Sequence, residues 1–377
     1  MHTSIWEKET FYAPTDVTII GSGFAGLWSA YFLKKNNPRL SVTIIERGII
    51  PEGASTRNAG FATFGSLTEL MHDAREMGED NMLLMVKMRY QGLERIRKTF
   101  KKKETDFQLT GGYELITPHH PVSVKRLNED IKWLNNKLSR KLNEKKIFEL
   151  ADQKINRFGL SKVNHLVENK MEGCLHPGKL CQSLLRTVQS MGITTLNQTN
   201  VTGYEKTTNG IRIHNHQGLD LLTGKLLICT NAFVKPLLPQ LNVQSARGQI
   251  LLTAPIEGLK IKGAFHSDEG FFYFRNLGNR LLLGGARNKA FEEETTENMG
   301  ISSTIQNELE LFLKRHLLPD TNYTITDRWS GIMGIGDVKM PIVKKIEDQV
   351  YCAVRMSGIG VALAPVIGEQ VAEMMMK

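Results

Sequence analysis

Gly21, Gly23 and Gly26 stand in a G-x-G-x-x-G spacing, and Glu46 follows roughly 20 residues after the last glycine. Gly21 allows a tight turn, Gly23 lets main chain approach a pyrophosphate, and Gly26 lets a helix pack closely on the strand before it. Phe24 and Ala25 open that helix, whose free N–H groups and dipole favour an anion. Glu46 is placed to accept from a ribose hydroxyl, and a carboxylate there argues against a 2′-phosphate, hence against NADP. The set predicts a dinucleotide site. A glycine-rich turn that binds nothing would leave Glu46 without a role.

A second group of small and polar residues follows Arg47: Gly53, Ala54, Ser55, Thr56, Arg57, Asn58, Ala59 and Gly60. Gly53, Ala54, Ser55 and Gly60 permit close main-chain approach. Ser55, Thr56 and Asn58 can donate to phosphate or ring heteroatoms, and Arg57 can offset anionic charge. The alternative is an ordinary polar surface turn. The loop's return from the dinucleotide strand favours a role at the second half of a cofactor.

The elements that must hold these residues are legible around them. Residues 16–20 are an apolar, β-branched run suited to a buried parallel strand, and residues 42–45 form a second. Residues 67–100 carry apolar positions at helical spacing, and 121–142 read as an amphipathic, lysine-rich helix. Residues 107–117 alternate around Gly111-Gly112, which predicts a hairpin. A strand and loop are expected over 166–175, then a helix from Pro177 to 191, with His176 in a structural role. Strands follow at 193–196, 201–204 and 225–229. From 243 the texture changes to short strands at 244–253, 270–276 and 280–286, which suggests an antiparallel sheet, with a covering helix at 301–317. Residues 350–354 form a last strand, leading through small residues into a terminal helix. Phe271, Tyr273 and Arg275 share one strand face and Phe272 and Phe274 the other; alternation does not say which face meets the site.

Composition bounds the function. The chain has 377 residues, enough for two domains, and a net charge of +9 with a pI near 9.2. Its basic residues are scattered apart from Lys98 and Lys101, Lys102 and Lys103, which suit a helix C-terminus or a solvated face, so no nucleic-acid partner is expected. The four cysteines, Cys174, Cys181, Cys229 and Cys352, have no C-x-x-C or zinc spacing and read as reduced, buried thiols of a cytoplasmic protein. No apolar run approaches a membrane span, and residues 1–15 lack the order of a signal peptide. Trp6, Phe11 and Tyr12 in that stretch are expected to lie against the body or a neighbouring subunit.

Taken together, the glycine motif, Glu46-Arg47 and the G-A-S-x-R-N-x-G loop resemble the D-amino-acid-oxidase superfamily of FAD enzymes. The resemblance is greatest to the branch of glycine and sarcosine oxidases and gamma-glutamylputrescine oxidase. It covers nearly the whole chain. It implies an α/β fold (α+β overall): a Rossmann-like FAD-binding domain over 1–80, 145–240 and 335–377, and a substrate domain over 81–144 and 241–334. That second domain is built on a mixed, mainly antiparallel sheet covered by helices. In the family the loop matching 53–60 runs beside the ribityl and isoalloxazine. Val201 matches a position whose main chain meets adenine, and Thr230-Asn231 a turn beside the dinucleotide. Arg247-Gly248-Gln249 resembles the R-G-Q of the strand that opens the substrate sheet. Gly331 lies where the chain returns to the flavin. Ser357, Gly358, Ile359, Gly360, Val361 and Ala362 fit the family's S-G-x-G motif, whose helix would aim its positive end at the reduced ring.

The same resemblance implies oxidation of a C–N bond by hydride transfer to flavin N5, hydrolysis of the resulting imine, and reoxidation by oxygen or another electron acceptor. The substrate is a small-molecule amine or amino acid. Family members acting on α-amino acids often carry an Arg where this chain has Met333, which favours an amine. Covalent-flavin members carry a Cys nearby and this chain has none there, so non-covalent FAD is expected. Phe61, Phe64, Tyr273, Trp329 and Met333 could build an apolar cage that keeps an amine neutral, with Arg275 beside them. No His, Asp or Glu stands out as an obligatory base. A 2-hydroxy-acid dehydrogenase on the same fold and a flavoprotein without amine oxidation are the alternatives.

Overall fold

The computed structural model describes residues 3–377. Its first sheet is centred on Thr15–Ile20, which pairs in parallel with Val42–Ile45 on one side and Leu221–Ile228 on the other. Thr194–Leu196 extends one edge in parallel, and Val350–Val354 the other, followed by antiparallel Ile342–Glu347. Val201–Thr207 and Gly210–Asn215 form a hairpin against Leu221–Ile228. Ile19, Ile44 and Leu227 are fully buried, as a parallel sheet covered on both faces requires.

Three helices stack over one face: Phe24–Asn36, Gly360–Met376 and Glu79–Thr99. Glycines set their spacing. A Cβ on Gly92 would lie 1.8 Å from the Ala362 carbonyl oxygen, and one on Gly368 would lie 2.7 Å from the Trp28 main chain. The terminal helix runs on to Met376, with Met375 buried.

The second sheet runs Ile325–Ile335, Gln244–Thr253, Arg280–Gly285, Phe272–Leu277, Ala264–Ser267, Gly112–Ile116, His165–Asn169, Phe148–Leu150. All neighbours are antiparallel except Ala264–Ser267 with Gly112–Ile116. One face packs on the helix Ser303–Phe312, where Phe272 stacks on Phe312 at 4.4 Å and Phe274 on Phe265 at 4.7 Å. The other face turns toward the glycine loops.

Several local expectations are corrected. Residues 107–117 are not a hairpin: Gly111 (φ 82°) turns the chain into the single strand Gly112–Ile116, which pairs with strands far away in sequence. The long helix breaks at Gly78 (φ 83°) into Leu67–Met77 and Glu79–Thr99. Glu79–Thr99, placed by sequence with the substrate segments, packs on the helices of the first sheet. Phe148–Leu150 and His165–Asn169, placed with the FAD segments, pair into the second sheet. Apolar pattern alone does not say which neighbour receives it. In the N-terminal segment Trp6 and Phe11 stay 74% and 58% exposed on this chain rather than packed.

Candidate cofactor and substrate site

The glycine turn is held by main chain on both sides. Gly21 (φ 103°) donates to the Ile45 carbonyl at 2.8 Å, and a Cβ there would stand 2.9 Å from the Cys229 oxygen. A Cβ on Gly26 would lie 2.0 Å from the Gly21 oxygen, so helix and turn touch as the motif requires. Glu46 is buried, and its carboxylate accepts from the Ser22 amide at 3.0 Å, the Ser22 hydroxyl at 2.7 Å and the Gly48 amide at 3.0 Å. It therefore clamps the turn to the end of the second strand. The Thr199 amide donates to the Glu46 carbonyl at 2.9 Å, which brings the start of the Val201 strand to the same corner. The Arg47 guanidinium lies 3.7 Å over the Phe233 ring.

Gly23 offers the helix Phe24–Asn36 no side-chain cap. Ser55 supplies one from the second loop, its hydroxyl accepting from the Phe24 amide at 2.9 Å. That bond joins the first two motifs. Thr56 and Asn58, expected to donate to the cofactor, spend their side-chain donors on the loop's own carbonyls, Thr56 on Pro51 and Asn58 on Ala54 and Ser55. Arg57 donates to the Ser330 carbonyl at 3.2 Å, and the Trp329 indole donates back to the Arg57 carbonyl at 3.0 Å.

The third motif closes the ring. Ser357 (φ 48°) and Gly358 (φ 79°) turn the chain into Gly360–Met376; the Ser357 amide donates to the Gly334 carbonyl at 3.0 Å. The Met356 amide donates to the Asn231 side chain at 3.1 Å. Cβ atoms on Gly331 and Gly358 would lie 3.1 Å from Arg57 Cβ and 3.2 Å from Met333 Sδ. Residues 21–26, 53–60, 230–231, 331–334 and 356–362 thus occupy one neighbourhood. Two buried hydroxyls here, Thr230 Oγ1 and Ser357 Oγ, have no protein partner. Orphaned donors beside Cβ-free main chain at a helix N-terminus fit a phosphate-bearing, heteroatom-rich group such as FAD.

The residues expected on the substrate side gather on the face of the second sheet that turns toward the glycine loops. The Phe61 and Tyr273 rings meet edge-on at 5.8 Å, and both pack with Trp329 on Ala59, Ile250, Leu252 and Leu282. A Cβ on Gly248 would lie 3.3 Å from Met333 Cε and 3.6 Å from the Tyr273 hydroxyl, so Met333 joins this wall. Burial pushes the Tyr273 phenol up to about 12 and keeps it protonated. The face left open by alternation is therefore the Tyr273–Arg275 face. Phe64 is fully buried beside Tyr90 and belongs to the core. Arg275 donates through Nη1 to the Gly60 carbonyl at 2.8 Å and the Leu175 carbonyl at 2.7 Å, which fixes the end of the second loop.

Sequence reading missed a set of charged residues beside this wall. His266 stands at 5.1 Å from the Phe61 ring and opposite Tyr273 in register. Behind it lie Glu69, Asp73, Arg89, Lys339, Glu114 and Glu172. Lys339 bridges Glu69 at 3.1 Å and Asp73 at 2.7 Å, and Arg89 reaches Glu69 at 3.3 Å. Burial alone would raise the Glu69 carboxyl; Lys339 and Arg89 hold it down at about 2. Apart from Glu69 and Asp73, one turn apart on the helix Leu67–Met77, these residues come from separate helices, strands and loops, so nothing in the sequence marks them as a group.

The family model for DAO, FAD dependent oxidoreductase, matches residues 16–374. The probable oxidoreductase OrdL of Haemophilus influenzae is 22% identical over 375 residues, 95% of this chain and 82% of that protein. Among solved structures, L-proline dehydrogenase from P. horikoshii superposes with a TM-score of 0.76 at 20% identity, covering 96% of this chain and 93% of the other. Glycine oxidase from Geobacillus kaustophilus gives 0.76 at 18%, covering 96% and 95%. The chain belongs to the DAO family of FAD-dependent oxidoreductases.

Proposed function

We propose that the protein binds FAD non-covalently and oxidises a C–N bond of a small amine or amino acid. The observation that carries this reading is the convergence of the three glycine-bearing turns against one wall made by the aromatic Phe61, Tyr273 and Trp329 with Met333. Main chain at Gly21, Gly23 and Gly26 with the Ser55-capped helix would hold the pyrophosphate. Residues 54–60 and 357–362 would hold the ribityl and ring. Bound FAD supplies a two-electron acceptor at N5, with oxygen or another acceptor taking the electrons onward. The chain's own contribution is to orient and desolvate the amine. An apolar wall disfavours an ammonium and so favours the neutral form that gives up hydride. The wall positions of Met333 and Trp329 carry no cation, which supports an amine over a simple α-amino acid. No cysteine falls among the loop residues, consistent with non-covalent binding; the four cysteines are all buried and unpaired, which supports a reducing, cytoplasmic setting. Among the described residues no helix is long and apolar enough to cross a membrane.

The test is anaerobic bleaching of the purified yellow protein by a panel of polyamines, N-methyl amines, and D- and L-amino acids. Bleaching by an amine with release of a carbonyl product supports the reading. Bleaching only by 2-hydroxy acids, with no nitrogen released, would replace it by the dehydrogenase alternative.

A further inference from the structure

Behind the aromatic wall, between the helix Leu67–Met77 and the second sheet, lies a small cavity with room for a water molecule. His266, Glu114, Glu172 and Asn169 line it. Two of these side chains are more than nine-tenths buried with an atom that has no partner: His266 Nε2, on a residue 8% exposed, and Asn169 Nδ2, on one 3% exposed. Buried water typically satisfies such atoms, with about three hydrogen bonds each. The carboxylates are anchored by neighbouring donors, one of which, Ser66, also lines the cavity. Glu114 accepts from the Ser66 hydroxyl and the Thr68 amide, both at 3.0 Å, and Glu172 accepts from the amides of Phe64 at 2.7 Å and Gly65 at 3.0 Å.

The charges around His266 do not balance if every acid is ionised. Glu69 and Asp73 on one helix are matched by Lys339 from the 336–341 loop and Arg89 from the next helix. Glu114 on its strand and Glu172 in the turn after His165–Asn169 have no cation of their own within bonding distance among the described residues. Tyr273, from the neighbouring strand, is neutral.

We propose that His266, Glu114 and Glu172 share protons through a water in this cavity, and that His266 is a positioning residue whose charge sets which form of the substrate amine the Phe61–Tyr273 wall accepts. Burial pushes Glu114 up to about 7 and Glu172 up to about 8, although each accepts hydrogen bonds that pull the other way. Burial also holds His266 below the usual imidazole range, against the pull of Glu69. At neutral pH the wall is therefore backed by a neutral ring. In acid a cation appears one ring behind Phe61 and opposes both an ammonium and the positive charge a neutral amine develops as it gives up hydride, so reaction needs neutral amine and neutral His266 together. The effect on substrate rests on the amine-oxidising reading; the proton sharing does not.

Two measurements on the FAD-loaded protein separate these parts. Infrared spectra without substrate should show protonated-carboxyl bands at about pH 6 that vanish by about pH 9. Glu114→Gln and Glu172→Gln should each remove part of them, and His266→Gln should shift their midpoint. Absent or unmoved bands overturn the shared proton. With any amine that bleaches the flavin, the second-order rate of anaerobic reduction should rise about tenfold per pH unit where only the amine titrates, steepening to about a hundredfold below the His266 pKa. In His266→Gln it should stay at about tenfold throughout. Equal slopes in the two proteins overturn the positioning role, and a protein bleached by no amine overturns the functional reading while the infrared test still stands.

Discussion

Replacing Gly92 by Ala tests whether the helix contact behind the flavin motif is as tight as it looks. The added Cβ would lie 1.8 Å from the Ala362 carbonyl oxygen and 3.0 Å from its carbon. That oxygen is main chain and cannot swing aside, so the helices must part by at least about 1.2 Å. Overpacking costs about 1–3 kcal/mol, and a rigid opponent puts this site near the top. Alanine in a helix interior returns about 1 kcal/mol of propensity. The net loss is about 2 kcal/mol, or about 2.5 °C in Tm for a chain of this size. Ala362 lies in the first turn of Gly360–Met376, so the shift also moves the residues expected to face the ring. FAD affinity should fall about tenfold, equivalent to about 1.4 kcal/mol. Thermal melts of apo and FAD-loaded protein, with FAD titrated by flavin fluorescence, read both effects. Gly53→Ala is the control: its φ is −74° and a Cβ there meets nothing within 4 Å, so its Tm should hold or rise. A Gly92→Ala protein melting at or above the wild type with unchanged FAD affinity would refute the packing argument.

Further outcomes are expected. Ser55→Ala removes the acceptor for the Phe24 amide and should cost about 1 kcal/mol, read as about fivefold weaker FAD binding by titration. Arg247 and Glu294 form a buried pair, 7% and 1% exposed, so Arg247→Ala strands a carboxylate and should cost about 3–5 kcal/mol in denaturant melts. Glu114 and Glu172 hold protons in the folded chain that the unfolded chain releases above the ordinary carboxyl value of 4.5. They therefore oppose folding increasingly from there up to about 7 and about 8. Apo-protein stability should fall across that window, less steeply in Glu172→Gln. Glu69, held at about 2, works the other way, stabilising above 4.5 and losing that contribution as pH drops toward 2. All four cysteines are buried, so a thiol reagent should label none in the native protein and four once it is unfolded.

The sequence by itself determined the dinucleotide turn. Three glycines, a preceding β-branched run and an acid at the next strand's end act within one local unit, and local geometry dictates their types. It also marked the loop 53–60 and the 357–362 turn, because close main-chain approach demands small residues wherever it occurs. Tertiary structure alone decided what those residues do for one another. That Ser55 caps the helix, that Asn58 and Arg275 brace the loop, and that Tyr273 rather than Phe274 packs with Phe61 and Trp329 depend on sheet register and on helices far away in sequence. The hairpin expected at 107–117 failed for the same reason: alternation is identical whether a strand pairs with its neighbour or with Ala264–Ser267. The charged group around His266 was invisible because, beyond the helical pair Glu69 and Asp73, its members share no spacing. Only long-range packing brings seven ionisable side chains from different elements behind one aromatic wall, and burial then shifts their proton affinities.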